Sequence, residues 1–204
     1  MGLFNRYLRS LLFAVAASAV CAFNAAAQVP PGPGPLLTDE RDGKTYKTAG
    51  IGGRVWMAEN LNYKTDKSWC YDDNESNCKK YGRLYTWEAA MAGCPSGWRL
   101  PTADEWKMFV GFVGGEKAGQ KLKSKDGWGA SGKGTDDYGF SALPGGYRTQ
   151  DERFASGDYG ARWWTATEST YKTADYRYIS GSGGEIYLNG YAKSGGLSVR
   201  CVRK

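Results

Sequence analysis

The run Asp72-Asp73-Asn74-Glu75-Ser76-Asn77 crowds oxygen donors together, the ligand chemistry that suits Ca2+. It lacks the spacing of an EF-hand loop, so a solvated turn is the competing reading, and calcium on Asp72, Asp73, Asn74 and Glu75 stands as an expectation. Asp136-Asp137 is a second acidic pair and reads as a turn. The chain has 8 tryptophans, whose flat rings can stack on sugars. Trp56, Trp87, Trp98 and Trp106 sit within strand or helix patterns and are assigned to the core. Trp128, Trp163 and Trp164 lie beside glycine and polar loops, and are the candidate ligand-binding residues. In Arg162-Trp163-Trp164-Thr165-Ala166-Thr167-Glu168, a strand would turn one tryptophan inward and the other outward.

Other chemistry is excluded or unassignable. The chain contains 0 histidines, which removes histidine triads, histidine zinc sites and histidine general bases. Glu168, Asp175 and Glu185 could supply a glycosidase carboxylate pair, but spacing in sequence gives no separation between them. Gly181-Ser182-Gly183-Gly184 has no helix pattern after it and reads as a loop, not a phosphate cradle. Lys121, Lys123 and Lys125 form the densest basic group, an alternation typical of a solvated face, so nucleic acid is not an expected partner.

These residues need elements to position them. Asp42-Gly43 signals a turn, and Ile51 to Met57 reads as the return strand of a hairpin. Trp87 to Ala92 forms a short helix with Thr86 as N-cap and Gly93 as stop. Thr102-Ala103-Asp104-Glu105 is a capping box opening a second helix, with Trp106, Phe109, Val110 and Val113 on one face and Gly114-Gly115 after it. After Lys125 the chain reads as short strands between glycine turns, ending on Leu197 to Arg203. The 29 glycines fit a turn-rich fold and not a helical bundle. The fold class expected is α+β, with two short helices and many short, mostly antiparallel strands.

The amino-terminal stretch reads as an address. Arg6 and Arg9 precede an apolar run from Leu11 to Phe23, and Ala25-Ala26-Ala27 is a small-residue cleavage site. Residues 1–27 are therefore assigned as a signal peptide; a retained anchor and lipidation at Cys21 are the alternatives. The apolar run falls short of the roughly 20 residues of a membrane span, and no other run approaches that length. No transmembrane span is expected in the mature chain. Residues 28–37, rich in proline and glycine, read as an extended spacer, and residues 38–204 as the globular domain. Of 5 cysteines, the signal removes Cys21 and leaves Cys70, Cys78, Cys94 and Cys201, an even set that reads as disulfides in an exported protein. Three pairings are possible and spacing alone does not choose. A local Cys70–Cys78 bridge would pin the acidic loop and leave Cys94–Cys201 as a long-range tie.

Six segments resemble the Fibrobacter succinogenes major paralogous domain, a family of exported bacterial proteins. They are Arg41 to Thr48, Trp56 to Tyr63, Tyr81 to Trp87, Cys94 to Pro101, Tyr138 to Arg148, and Ser198 to Val202. They follow in order over nearly the whole domain, and the four cysteines stand where the family places them. More distantly, Gly97 to Trp106 and Val199 to Val202 resemble the formylglycine-generating sulfatase-modifying enzymes. That likeness implies a C-type-lectin-like, disulfide-stapled architecture. The lectin calcium signatures Glu-Pro-Asn and Trp-Asn-Asp are absent. The oxidase chemistry of those enzymes uses a reactive cysteine pair, and here plausible structural bridges account for all four mature cysteines.

The expected function is a secreted, cell-surface or periplasmic non-catalytic module. Its expected partner is a polysaccharide or an envelope protein, and no cofactor is expected beyond possible Ca2+. The alternatives are a structural envelope component and an enzyme related to formylglycine-generating oxidases.

Overall fold

The computed structural model describes residues 29–129, 132–157 and 159–204. The stretch expected to be a signal peptide, its expected cleavage site and Cys21 lie outside the described residues. In chain order the elements begin β1 (Gly32–Pro33), β2 (Leu37–Thr38), β3 (Thr45–Tyr46), β4 (Thr48–Ile51), β5 (Arg54–Met57) and β6 (Ser68–Trp69). Then come α1 (Glu75–Tyr81), β7 (Leu84–Tyr85), α2 (Trp87–Gly93), β8 (Trp98–Arg99) and α3 (Ala103–Val113). The chain finishes with β9 (Tyr147–Arg148), β10 (Phe154–Ala155), β11 (Gly160–Glu168), β12 (Thr173–Ser180), β13 (Ile186–Ala192) and β14 (Val202–Arg203).

This is an α+β fold built on two main sheets. One has five strands in the order β1-β4-β5-β14-β8, so the carboxy-terminal strand is inserted between β5 and β8. The other is the antiparallel β11-β12-β13 meander. Two disulfides staple it: Cys70–Cys78 and Cys94–Cys201, the second joining residues 107 apart in sequence. Closing so long a loop removes much entropy from the unfolded chain.

Several local expectations hold for physical reasons. Thr102 accepts a hydrogen bond from the Glu105 amide, the Glu105 side chain accepts one from the Thr102 amide, and Gly114 ends α3 in the left-handed region at φ 115°. Trp106, Phe109, Val110 and Val113 are all buried along that helix. Thr86 caps α2 as expected.

Other expectations change. Ile51 to Met57 is not one strand, because Gly52 and Gly53 adopt φ of 60° and 76° and make the tight turn between β4 and β5. Asp42-Gly43 instead turns the chain from β2 to β3, whose strands pair Leu37 with Tyr46. The spacer is part of the fold: Gly32 and Pro33 pair with Gly50 and Ala49 at the sheet edge, and Leu37 is buried. An edge position suits proline, which has no amide to offer a second neighbour. A third helix, α1, occupies half of the acidic loop. Asn74 caps it by accepting from the Ser76 amide, and Lys79 and Lys80 fall in its last turn. The strands after Lys125 include the three longest of the fold, at 9, 8 and 7 residues.

The buried side chains form two clusters on either side of β5 and β11. Trp56, Trp106, Phe109, Phe140 and Trp163 belong to the first; Met57, Leu61, Tyr85, Leu100, Trp164 and Leu197 belong to the second. Consecutive residues of a strand point to opposite faces, so each of these two strands feeds one large side chain to each cluster.

Candidate functional site

The tryptophans expected to meet a ligand do not reach the surface. Trp163 and Trp164 are 1% and 0% exposed, and Trp128 is 6% exposed. The alternation along β11 is as expected, but both faces of this strand are covered, so the ring expected to point outward enters the second core. Their indole N–H groups are also occupied. Trp163 donates to Asn60 Oδ1 at 2.8 Å, Trp164 to the Tyr85 carbonyl at 2.7 Å, and Trp128 to the Ala142 carbonyl at 2.8 Å. Trp56 and Trp106 are buried as assigned, while Trp87 and Trp98 sit half-buried at the rim of the second core.

The acidic residues do not gather into a cage. Asp72, Asp73, Asn74 and Glu75 are exposed, and Asp72 and Asp73 both have φ of 52° in a single 3-10 turn. Among the described residues, the one group of potential metal ligands is Cys70, Glu75 and Cys78. Its two sulfurs are bonded to each other, so they offer no thiolate to a metal. Asp136 makes a turn: its carboxylate accepts from the Ser141 amide at 2.7 Å and the Ser141 hydroxyl at 2.6 Å. The Gly181–Gly184 loop is a loop as expected, and its backbone is held by a buried cation. Lys123, in the basic group read as a solvated face, is fully enclosed and donates to the carbonyls of Gly181 at 2.9 Å and Gly183 at 2.6 Å. Burial lowers its pKa, opposed by Glu185.

Two surfaces carry unassigned chemistry. The first is a tyrosine–arginine face on the β11-β12-β13 sheet. Register places Arg162, Tyr178 and Tyr187 side by side, with Trp164, Tyr176 and Asn189 in the next row of the same face. The Arg162 guanidinium lies 4.3 Å from the Tyr147 ring and 4.4 Å from the Tyr178 ring, and Tyr178 stacks on Tyr187 at 5.9 Å and 22°. Tyr191 meets Tyr147 and Tyr176 edge-on at 5.7 and 6.0 Å. Tyr187 is 43% exposed, the other tyrosines of the face are half-buried, and Arg162 Nη1 has no hydrogen-bond partner among the described residues. The sequence carried a signal for this face: Tyr176 and Tyr178, and Tyr187 and Tyr191, stand at even separations within strands, which puts each pair on one side.

The second is a cleft of about 360 Å3 between β3, the segment after β5, the end of α1 and the loop at Ser141. Lys44, Lys47, Lys79, Lys80 and Arg200 line it, with Glu59 as its one carboxylate. Gly82 closes one wall at φ 74°, and a Cβ there would come within 2.7 Å of Asn60 Cβ, so glycine is required. Arg200 is 1% exposed and donates through Nε to Asn60 Oδ1 at 2.8 Å, through Nη1 to the Phe140 carbonyl, and through Nη2 to the Ser141 carbonyl at 3.1 Å. Burial pushes its guanidinium down to about 9, with the charges of Asp136 and Glu59 opposing the shift. It therefore remains charged at neutral pH.

A family model described as the Fibrobacter succinogenes major domain matches residues 50–203. The chain belongs to this family. No curated protein and no solved structure matches the chain. The family match spans both surfaces except for β3 and its flanking lysines, so the Lys44 and Lys47 wall of the cleft comes from outside the matched residues. Among the described residues, no helix is long and apolar enough to cross a membrane.

Proposed function

We propose that the chain is an exported, non-catalytic binding module that holds a sugar chain on the tyrosine–arginine face. The observation that carries this reading is the Tyr147–Arg162–Tyr178–Tyr187 column, half-buried over its first three residues and opening to solvent at Tyr187 on the edge strand β13. Tyrosine offers an apolar ring for the C–H face of a sugar and a hydroxyl for its polar edge. Rings already held by neighbours lose little rotamer freedom when a ligand lands on them. Two disulfides support export, since such bonds persist in oxidising compartments. They also leave no free thiol pair among the described residues, which supports a binding role over cysteine oxidase chemistry. Within this reading the scaffold is C-type-lectin-like. Support comes from the two segments that carry the likeness, which are neighbours in one sheet, with Val202 paired to Arg99.

The test is retention of the domain on insoluble cellulose and xylan, with Ca2+ and with chelator. Retention competed by soluble oligosaccharide is expected, with roughly a tenfold loss in a Tyr178→Ala, Tyr187→Ala double variant, corresponding to about 1.4 kcal/mol. Unchanged retention in that variant, or none in the parent, refutes the reading. A second reading, an envelope-protein partner, is favoured by the outer ridge of α3, where Met108 and Phe112 are 57% and 46% exposed and Phe112 packs on Tyr138. Crosslinking from position 108 in cells tests it.

A further inference from the structure

We propose that the cleft lined by Arg200 is an oxyanion site that takes the carboxylate of an acidic sugar, such as a uronate unit of a polysaccharide. This goes beyond the tyrosine face, which lies on a different sheet and has different chemistry.

The starting point is Arg200 itself. A guanidinium has five N–H donors, and Arg200 uses three of them, all on neutral oxygens of Asn60, Phe140 and Ser141. Among the described residues no carboxylate lies within ion-pair distance of it. Buried charges are ordinarily paired, because leaving water is costly without a counter-ion. Arg200 instead rests on the Phe140 ring at 4.1 Å and lines a cavity. The neighbourhood holds it there rigidly: Asn60 is fixed by the Tyr81 carbonyl and by Trp163, and Ser141 by Asp136.

The rim repeats the same sign. Lys47, Lys79 and Lys80 are exposed and form no ion pair among the described residues, whereas Lys44 is tied to Asp42 at 2.5 Å. Glu59, the single carboxylate, already accepts the Lys47 amide at 2.7 Å. The cleft therefore presents an unmatched surplus of cations, Lys47, Lys79 and Lys80 at its rim and the Arg200 guanidinium with two of its five N–H groups uncommitted in its lining, a field that suits a carboxylate. Its volume lies at the low end for small-ligand pockets, room for one acidic sugar and not for a large cofactor. Asn62, half-buried in the lining, supplies an amide for a sugar hydroxyl.

The experiment titrates the folded protein calorimetrically with trigalacturonate, with its fully methyl-esterified form, and with inorganic sulfate and phosphate. The acid is expected to bind at least tenfold more tightly than the ester, with affinity falling as salt rises. Sulfate or phosphate is expected to compete with it for the same site. Lys79→Gln with Lys80→Gln, both exposed, is expected to weaken the acid several-fold at unchanged melting temperature. Arg200→Met is expected to abolish the preference for acid over ester, and Tyr178→Ala with Tyr187→Ala to leave that preference intact. Equal binding of acid and ester overturns the proposal. So does the absence of binding by all three oxyanions, or a preference that survives both cleft variants.

Discussion

Glu105→Gln isolates one interaction that the fold depends on. Glu105 receives both Nη groups of Arg99, at 2.6 and 2.5 Å, and the Thr102 amide at 3.0 Å, with Arg54 at 3.3 Å. The paired Arg99 guanidinium is the main cause that holds its carboxyl at about 2, against an ordinary 4.5; burial pulls the other way, and the Thr102 amide adds to the lowering. Because the folded value lies below the unfolded one, the contribution is complete above about pH 4.5 and drains away as pH falls toward 2. The whole shift corresponds to about 3 kcal/mol; with Arg99 and Arg54 partly exposed and screened, about 2 kcal/mol is the working figure. Glutamine keeps an acceptor for the Thr102 amide but cannot form the charged fork. Urea unfolding at pH 7 is expected to show a loss of about 2 kcal/mol, or roughly 4–8 °C in melting temperature for a domain of this size. The gap between parent and variant is expected to shrink by about half at pH 3. A gap of equal size at both pH values would refute the electrostatic account and leave only packing. No gap at pH 7 would refute the interaction itself.

The two disulfides differ in reach, so removing them separately is informative. Cys94→Ala with Cys201→Ala is expected to cost about 4–5 kcal/mol and Cys70→Ala with Cys78→Ala about 2–3 kcal/mol by loop-closure entropy, measured by denaturant unfolding. Asn60→Ala strands the Trp163 indole N–H and Arg200 Nε, which share its Oδ1, and is expected to cost about 2–4 kcal/mol in the same assay. Gly82→Ala forces a Cβ to 2.7 Å from Asn60 Cβ and to 2.9 Å from two carbonyl oxygens at a left-handed φ, and is expected to lower the melting temperature by several degrees.

Sequence made α2 and α3 legible because caps and periodicity are local properties, readable within a turn or two. The hairpin turn at Gly52-Gly53 was missed because the residues on either side of it read as one apolar strand. Trp163 and Trp164 show a different limit. Period-2 alternation correctly put them on opposite faces, but whether a face meets water depends on distant residues, here Leu197 and Tyr85 on one side and Trp106 and Phe140 on the other. The spacer failed for the same reason: proline and glycine content says that the segment is extended, and only the partner strand at Ala49 and Gly50 says that it docks. Lys123 is the sharpest case. Alternating lysines read as solvated, yet the ring of Trp128 at 4.6 Å and two carbonyls from the Gly181–Gly184 loop enclose this one.

Four cations, Arg83, Lys123, Arg177 and Arg200, lie buried among the described residues, and of these Arg200 alone lines the cleft. Burial lowers the Arg177 pKa, with the charges of Glu116 and Asp175 opposing. Lys123 has its charge met by two carbonyls and an aromatic face, and it lines no part of the cleft. Arg83 spreads over Ser68 and the Cys70–Cys78 sulfurs, with Glu75 at 3.8 Å as its counter-charge. Both satisfy the rule that a buried charge is paired or well solvated by dipoles, so both are explained as structure. Arg200 is likewise met by three neutral oxygens and the Phe140 ring, and what sets it apart is the cavity it lines, where Lys47, Lys79 and Lys80 form no ion pair among the described residues. A formal charge left unpaired at the edge of a basic cavity is what an incoming anion would complete.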